Sequence, residues 1–75
     1  MAEYVLDCFG EACPVPLMRT ERKLSELSNG DILVVAIDHS CAIKNVPEWA
    51  RAQGHHVEID EVDDGEWEVI IEKTS

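Results

Sequence analysis

The chain is organised around the stretch Leu6-Asp7-Cys8-Phe9-Gly10-Glu11-Ala12-Cys13-Pro14-Val15-Pro16-Leu17. Within it a short strand pattern ends, a glycine turns the backbone, and a cysteine stands directly before a helical pattern. Pro14 suits the first helical position, because the N–H of that position is unpaired in any helix and the φ of proline is already helical. Cys13 is therefore expected at or near the N-cap of this helix.

The position of Cys13 predicts a reactive thiol. The unpaired N–H groups and the partial positive charge of a helix N-terminus favour a thiolate over a thiol. Gly10 allows the close or left-handed backbone that a strand-to-helix turn often needs, and Pro16 stiffens the turn. The alternative for Cys13 is a small buried hydrophobe, which is common for a free cysteine. A place between a turn and two prolines is a poor one for filling a core, so we interpret Cys13 as the nucleophile.

The residues from Leu6 to Pro16 also carry a family pattern. They read Leu-Asp-x-x-Gly-x-x-Cys-Pro-x-Pro, which resembles the signature of the TusA/SirA/YeeD-like sulfur-carrier family. The resemblance implies that Cys13 accepts sulfur and that Asp7, Gly10, Pro14 and Pro16 shape its loop. Further matching segments are Gly30-Asp31-x-Leu33, Asp38, Val46-Pro47-x-Trp49-Ala50, Gly54-His55 and Glu66-Trp67. The Val-Pro-x-Trp-Ala and Gly-His segments resemble the YeeD-like branch more than the branch that thiolates tRNA.

The length and cysteine count limit the possible organisation. The 75 residues predict a single domain, residues 1–75, with a modest core, since small domains bury only ~60% of their unfolded surface. The family resemblance implies that this is a sulfur-carrier domain. There is no signal-peptide pattern, and no apolar run approaches the ~18 residues of a membrane span. We therefore expect a cytoplasmic protein. Its three cysteines are too few for a disulfide scaffold, so the count predicts free thiols in a reducing compartment.

The chain is strongly acidic. Sixteen acidic and six basic residues give a formal charge of −10, which opposes direct binding to nucleic acid or to anionic lipid headgroups. Many of the acids lie in the C-terminal third: Glu58, Asp60, Glu61, Asp63, Asp64, Glu66, Glu68 and Glu72. This cluster is either a solvated sheet face that keeps a small protein in solution or a docking surface for a basic partner.

Periodicity and turn residues predict six elements in the order βαβαββ. These are a strand at 4–7, a helix from Pro14 to about Leu27, a strand at 31–37, a helix between Ser40 and Gly54, and a hairpin of strands at 56–62 and 66–71. The apolar strand at 31–37 is expected to be covered on both faces or to lie at the centre of a sheet. Pro47 predicts either a kink in the second helix or a helix that restarts there.

This order predicts an α/β (α+β) two-layer sandwich, with two helices on one face of a mixed four-stranded sheet. Right-handed crossovers make the first two strand connections parallel. The family resemblance implies that the last strand is inserted between the second and third strands, antiparallel to both.

Other residues are weaker site candidates. Cys8 is expected to pack in the core, or else to resolve a disulfide or accept sulfur from Cys13. Cys41 opens the second helix, so the helix dipole gives it some thiolate character and makes it an auxiliary thiol. Arg19 is the basic residue nearest to Cys13 along the helix. It either holds an anionic sulfur donor or stabilises the persulfide, or else it belongs to a solvated face. The histidines and cysteines lack metal-ligand spacing, so we predict neither a metal nor a cofactor.

The leading hypothesis is a sulfur carrier or sulfurtransferase that takes up sulfane sulfur on Cys13 as a persulfide and relays it to an acceptor. Thiolate attack on a sulfur–sulfur bond requires an exposed nucleophile and no cofactor. The donor is a persulfidated protein, as the tRNA-thiolation branch implies, or thiosulfate, as the YeeD-like branch implies, in which case a thiosulfate-transporting membrane protein is an expected partner. The alternative is a regulatory or interaction module that uses the same cysteine loop without carrying sulfur.

Overall fold

The computed structural model describes residues 2–74 and contains the six predicted elements in the predicted order. They are β1 (Glu3–Asp7), α1 (Val15–Ser25), β2 (Ile32–Ile37), α2 (Ser40–Ala52), β3 (His56–Asp63) and β4 (Glu66–Glu72). The four strands form one sheet in the order β1-β2-β4-β3. β1 is parallel to β2, whereas β4 is antiparallel to both of its neighbours. The predicted α+β fold with its inserted last strand is therefore confirmed.

Alternate residues of the sheet form the core beneath the two helices. Leu33 and Val35 of β2 are fully buried and lie opposite Ile71 and Val69 of β4. Val34, between them in sequence, is only half-buried, because it faces the side of the sheet that carries no helix. The strand β2 was expected to be covered on both faces or to lie at the centre of the sheet. The structure shows the second: β2 lies between β1 and β4 and is covered by helices on one face only.

The first helix begins one residue later than predicted. Its first residue is Val15, and Pro14 is the N-cap, with its carbonyl accepting the Met18 N–H at 3.0 Å. Pro14 has a non-helical ψ of 19°, and the Cys13–Pro14 peptide bond is cis. Pro16, inside the first turn, is the proline whose missing N–H costs no hydrogen bond. Cys13 consequently lies one residue before the N-cap, in agreement with the prediction that it lies at or near the N-cap.

The same helix ends at Ser25, before the predicted Leu27. The N–H groups of Glu26 and Leu27 bond three residues back, to the carbonyls of Lys23 and Leu24, which tightens the last turn. The Lys73 ammonium then donates to the carbonyl oxygens of Leu24 and Leu27 at 2.7 and 2.8 Å. A lysine that follows β4 thus satisfies the end of α1.

The second helix runs through Pro47, so the predicted restart at this residue is wrong. Pro47 and Val46 are both buried, and their packing against the sheet outweighs the hydrogen bond that proline removes. His39 is the N-cap of this helix, and its side chain makes no capping bond. In residues 2–74 no helix is long and apolar enough to cross a membrane.

Candidate functional site

Two loops meet where the parallel strands β1 and β2 end. After β1, the Cys8 N–H continues the ladder by donating to the Ala36 carbonyl at 2.8 Å. The Gly10 N–H then donates to both carboxylate oxygens of Asp38, each at 3.0 Å. Gly10 has a φ of +79°, the left-handed backbone expected of this position. The loop before α1 is therefore fastened to the loop before α2.

Asp38 is a positioning residue to which the sequence analysis gave no role. The Gly10 N–H, followed by the His39 ring at 2.9 Å, holds the pKa of Asp38 below its ordinary value. Its carboxylate is therefore ionised at neutral pH, when it can accept the Gly10 bond in full. The available signal was its place as the first polar residue after the apolar strand.

The structure joins Cys13 and Cys41 in a disulfide. Their Cα atoms are 6.2 Å apart, within the normal range for a disulfide. The prediction of three free thiols is therefore wrong for this pair and holds for Cys8. Cys13 is half-buried and Cys41 is exposed, so the pair lies at the surface where a reductant can reach it.

Asn45 is a second residue that the sequence analysis missed. Its side-chain amide contacts both sulfurs of the disulfide, at 3.3 Å from Cys41 Sγ and 3.7 Å from Cys13 Sγ. It lies one helical turn after Cys41, a spacing that places both side chains on one face of α2. An amide donor in this position can stabilise negative charge on either sulfur.

Arg19 reaches the loop but not the sulfurs. Its guanidinium forms an ion pair with Glu11 and donates to the Asp7 carbonyl at 2.9 Å. The hydrogen bond to Glu11 is the main cause that raises the Arg19 pKa. The Asp7 side chain in turn accepts the Phe9 N–H at 3.0 Å. Arg19 therefore braces the loop between β1 and Cys13, and Glu11 compensates its charge.

Cys8 belongs to the core. Its side chain is fully buried, and this burial is the main cause that raises the pKa of its thiol. A buried thiol with a raised pKa is a poor nucleophile at neutral pH. The second thiol beside Cys13 is accordingly Cys41.

The sequence matches a known family over nearly its whole length. The family model described as Sulfurtransferase TusA matches residues 4–73. The chain belongs to the TusA family. That assignment confirms the resemblance drawn from the Leu-Asp-x-x-Gly-x-x-Cys-Pro-x-Pro pattern, whereas the branch within the family stays a prediction.

Individual members of the TusA family are similar over nearly the whole chain. A protein of Archaeoglobus fulgidus is 41% identical over 73 residues, which is 96% of this chain and 83% of the relative. A protein of Thermotoga maritima is 42% identical over 76 residues, covering 95% and 96% of the two chains. Both carry the name "Putative sulfur carrier protein". The crystal structure of a SirA-like protein from Desulfitobacterium hafniense superposes with a TM-score of 0.86 at 29% identity and covers 96% of this chain and 99% of its own.

The TusA signature residues of this chain occupy one continuous loop and helix start. Asp7 and Gly10 make its turn and its tie to Asp38, and Pro14 and Pro16 form the N-cap and first turn of α1. Among residues 2–74, no group of three or more histidine, cysteine or acidic side chains could hold a metal ion.

Proposed function

We propose that this chain, acting as one domain, is a cytoplasmic sulfur carrier in which the Cys13 thiolate takes up sulfane sulfur as a persulfide and passes it to an acceptor. The observation that carries this proposal is the surface position of Cys13, immediately before the N-cap of α1, in a member of the TusA family. The names of the A. fulgidus and T. maritima relatives support it.

The transfer needs only the reduced form of Cys13. Its thiolate attacks the sulfane sulfur of the donor, a bond forms between Cys13 Sγ and that sulfur, and the donor's sulfur–sulfur bond breaks. The leaving group is a thiolate if the donor is a persulfidated protein and sulfite if the donor is thiosulfate. The N-terminus of α1 favours the anionic form of both the attacking sulfur and the persulfide.

We favour thiosulfate as the donor, on the resemblance of Val46-Pro47-x-Trp49-Ala50 and Gly54-His55 to the YeeD-like branch. A membrane protein that transports thiosulfate would then be the neighbouring partner. Two apolar side chains within five residues of Cys13 in sequence are exposed, Phe9 to 42% and Met18 to 62%, and we propose them as contacts for such a partner or for the acceptor.

Intact-mass spectrometry tests the proposed function. The reduced protein is exposed briefly to thiosulfate, and separately to a persulfidated cysteine desulfurase, as Cys8→Ala, Cys41→Ser and Cys13→Ser variants. We expect the first two variants to gain the mass of one sulfur atom and Cys13→Ser to gain none, since Cys13 is the cysteine of the Cys-Pro-x-Pro signature and stands immediately before the N-cap of α1. The donor that works also identifies the branch.

Two outcomes would contradict the carrier role. One is the absence of any sulfur gain from both donors, and the other is a full gain in Cys13→Ser. If a partner still binds Cys13→Ser with unchanged affinity while no variant takes up sulfur, the chain is an interaction module.

A further inference from the structure

We propose that Cys41 is a resolving thiol, which attacks the Cys13 persulfide within the same molecule and releases its outer sulfur as hydrosulfide. This inference rests on the proposed function, because it needs a persulfide on Cys13. Relay to an acceptor and release as hydrosulfide then become competing fates of the same persulfide.

The positions of the two cysteines carry the proposal. Cys13 and Cys41 form a disulfide across a Cα separation of 6.2 Å. The Cys41 sulfur therefore reaches the inner sulfur of a Cys13 persulfide without any movement of the backbone. The Gly10 to Asp38 hydrogen bonds join the two loops and keep the cysteines at this separation.

The reaction balances without an external oxidant. The Cys41 thiolate attacks Cys13 Sγ and forms the disulfide, while the bond from Cys13 Sγ to the outer sulfur breaks. The outer sulfur leaves with the electron pair and takes up one proton as hydrosulfide. It is reduced from sulfane to sulfide, and the two cysteine sulfurs are oxidised to the disulfide. A dithiol reductant restores both thiols and is itself oxidised to a disulfide.

The surroundings of Cys41 suit it to this attack. It is the second residue of the thirteen-residue helix α2, where unpaired N–H groups favour a thiolate. The Asn45 amide lies 3.3 Å from its sulfur and adds a hydrogen-bond donor for the anion. Because Cys41 is exposed, a dithiol reductant can reach the disulfide after each round.

Sulfide release in a single turnover tests the role of Cys41. Reduced protein in oxygen-free buffer receives one equivalent of thiosulfate or of persulfidated cysteine desulfurase, whichever donor loads Cys13, so that the loading step releases sulfite or a thiolate and no hydrosulfide. Hydrosulfide and intact mass are then followed over time. We expect the wild type to gain and then lose one sulfur atom while it loses two hydrogens to the disulfide. In Cys41→Ser the persulfide should persist. Hydrosulfide release should be at least ~10-fold slower, because the thiol that is held beside Cys13 has been removed and only intermolecular attack remains.

Matched variants separate this proposal from the proposed function. Cys8→Ala removes a thiol that is buried and should behave like the wild type. The wild-type rate should not depend on protein concentration, because the attack is intramolecular. Equal hydrosulfide release from the wild type and Cys41→Ser, or a sulfur that moves onto Cys41 and stays there, would overturn the resolving role alone. A failure of Cys41→Ser to take up any sulfur would instead overturn the carrier role.

Discussion

Two contacts hold the backbone on the N-terminal side of Cys13. The Arg19 guanidinium bonds the Asp7 carbonyl, and the Asp38 carboxylate accepts the Gly10 N–H. Both contacts pair a charged side chain with a backbone group, which makes them stronger than neutral hydrogen bonds. Cys13 is therefore positioned by charged residues that do not touch its sulfur.

Replacement of Asp38 by Asn should weaken this fastening at neutral pH. A carboxylate whose pKa is lowered by folding stabilises the fold above its unfolded pKa, and that contribution is lost as the pH falls through the folded value. We therefore expect Asp38→Asn to lower the urea midpoint at pH 7. The difference from the wild type should shrink as the pH falls below 3.8, the ordinary value for Asp. Urea unfolding followed by tryptophan fluorescence, at pH 7 and at a pH below 3.8, measures the difference in midpoint between the two proteins.

An exposed carboxylate elsewhere on the sheet provides the control for this measurement. Asp60→Asn removes the same charge without touching the loop, so it should not reproduce the loss at pH 7. A difference between Asp38→Asn and the wild type that stays constant from neutral to acid pH would contradict the role given to the carboxylate.

The buried face of α1 contains one polar side chain. Thr20 is fully buried in line with Leu24 and Leu27, and its hydroxyl has no hydrogen-bond partner within residues 2–74. A buried hydroxyl without a partner opposes folding, because it has lost its water and gained nothing in exchange. The helix is thus less stable than its apolar stripe alone would make it.

Thr20→Val should stabilise the protein by roughly 1 kcal/mol, since it replaces the hydroxyl with a methyl of similar shape. Thermal or urea unfolding of the two proteins gives the difference. Thr20→Ser is the matched variant: it keeps the hydroxyl, removes the methyl and should be less stable than the wild type. Thr20→Val that is less stable than the wild type would show that the hydroxyl is satisfied in solution.

The elements were predictable because their patterns are local. Turn residues and apolar spacing identified all six, and of the two uses expected of Gly10, a close approach or a left-handed backbone, the left-handed backbone is observed. Of the two alternatives for Pro47, the restart was wrong, since local rules count the lost hydrogen bond but not the burial gained in the core. The disulfide between Cys13 and Cys41 depends on the tertiary positions of two loops 28 residues apart. The cysteine count alone predicted free thiols. The place of β4 came from the family resemblance and not from spacing.

The whole molecule carries its charge in a small volume. The formal charge is −10 and the radius of gyration is 11.0 Å. This radius is close to the Debye length of ~10 Å at 0.1 M salt, so many of the acidic side chains repel one another with little screening. Asp60 of β3 lies directly opposite Glu68 of β4, and like charges in this position oppose strand pairing. Self-repulsion of the acidic residues therefore reduces the stability of the hairpin and of the fold.

Added salt should stabilise the protein. We expect the urea midpoint to rise steadily between ~0.01 and ~0.5 M potassium chloride, because screening weakens repulsion among exposed charges. Asp60→Lys relieves one facing pair and should be more stable than the wild type at low salt, with a weaker dependence on salt. A midpoint that is constant or falls with salt would contradict this account of the acidic surface.

The place of β4 has a consequence for synthesis on the ribosome. β4 is the last of the four strands to be made, yet it lies between β2 and β3. Until Glu72 has left the exit tunnel, β3 has no neighbour to pair with and β2 presents an unpaired edge of apolar, β-branched residues. The sheet is completed only after synthesis has passed β4, so the edge of β2 stays open from the completion of Ile37 until Glu72 is available and needs protection during that interval.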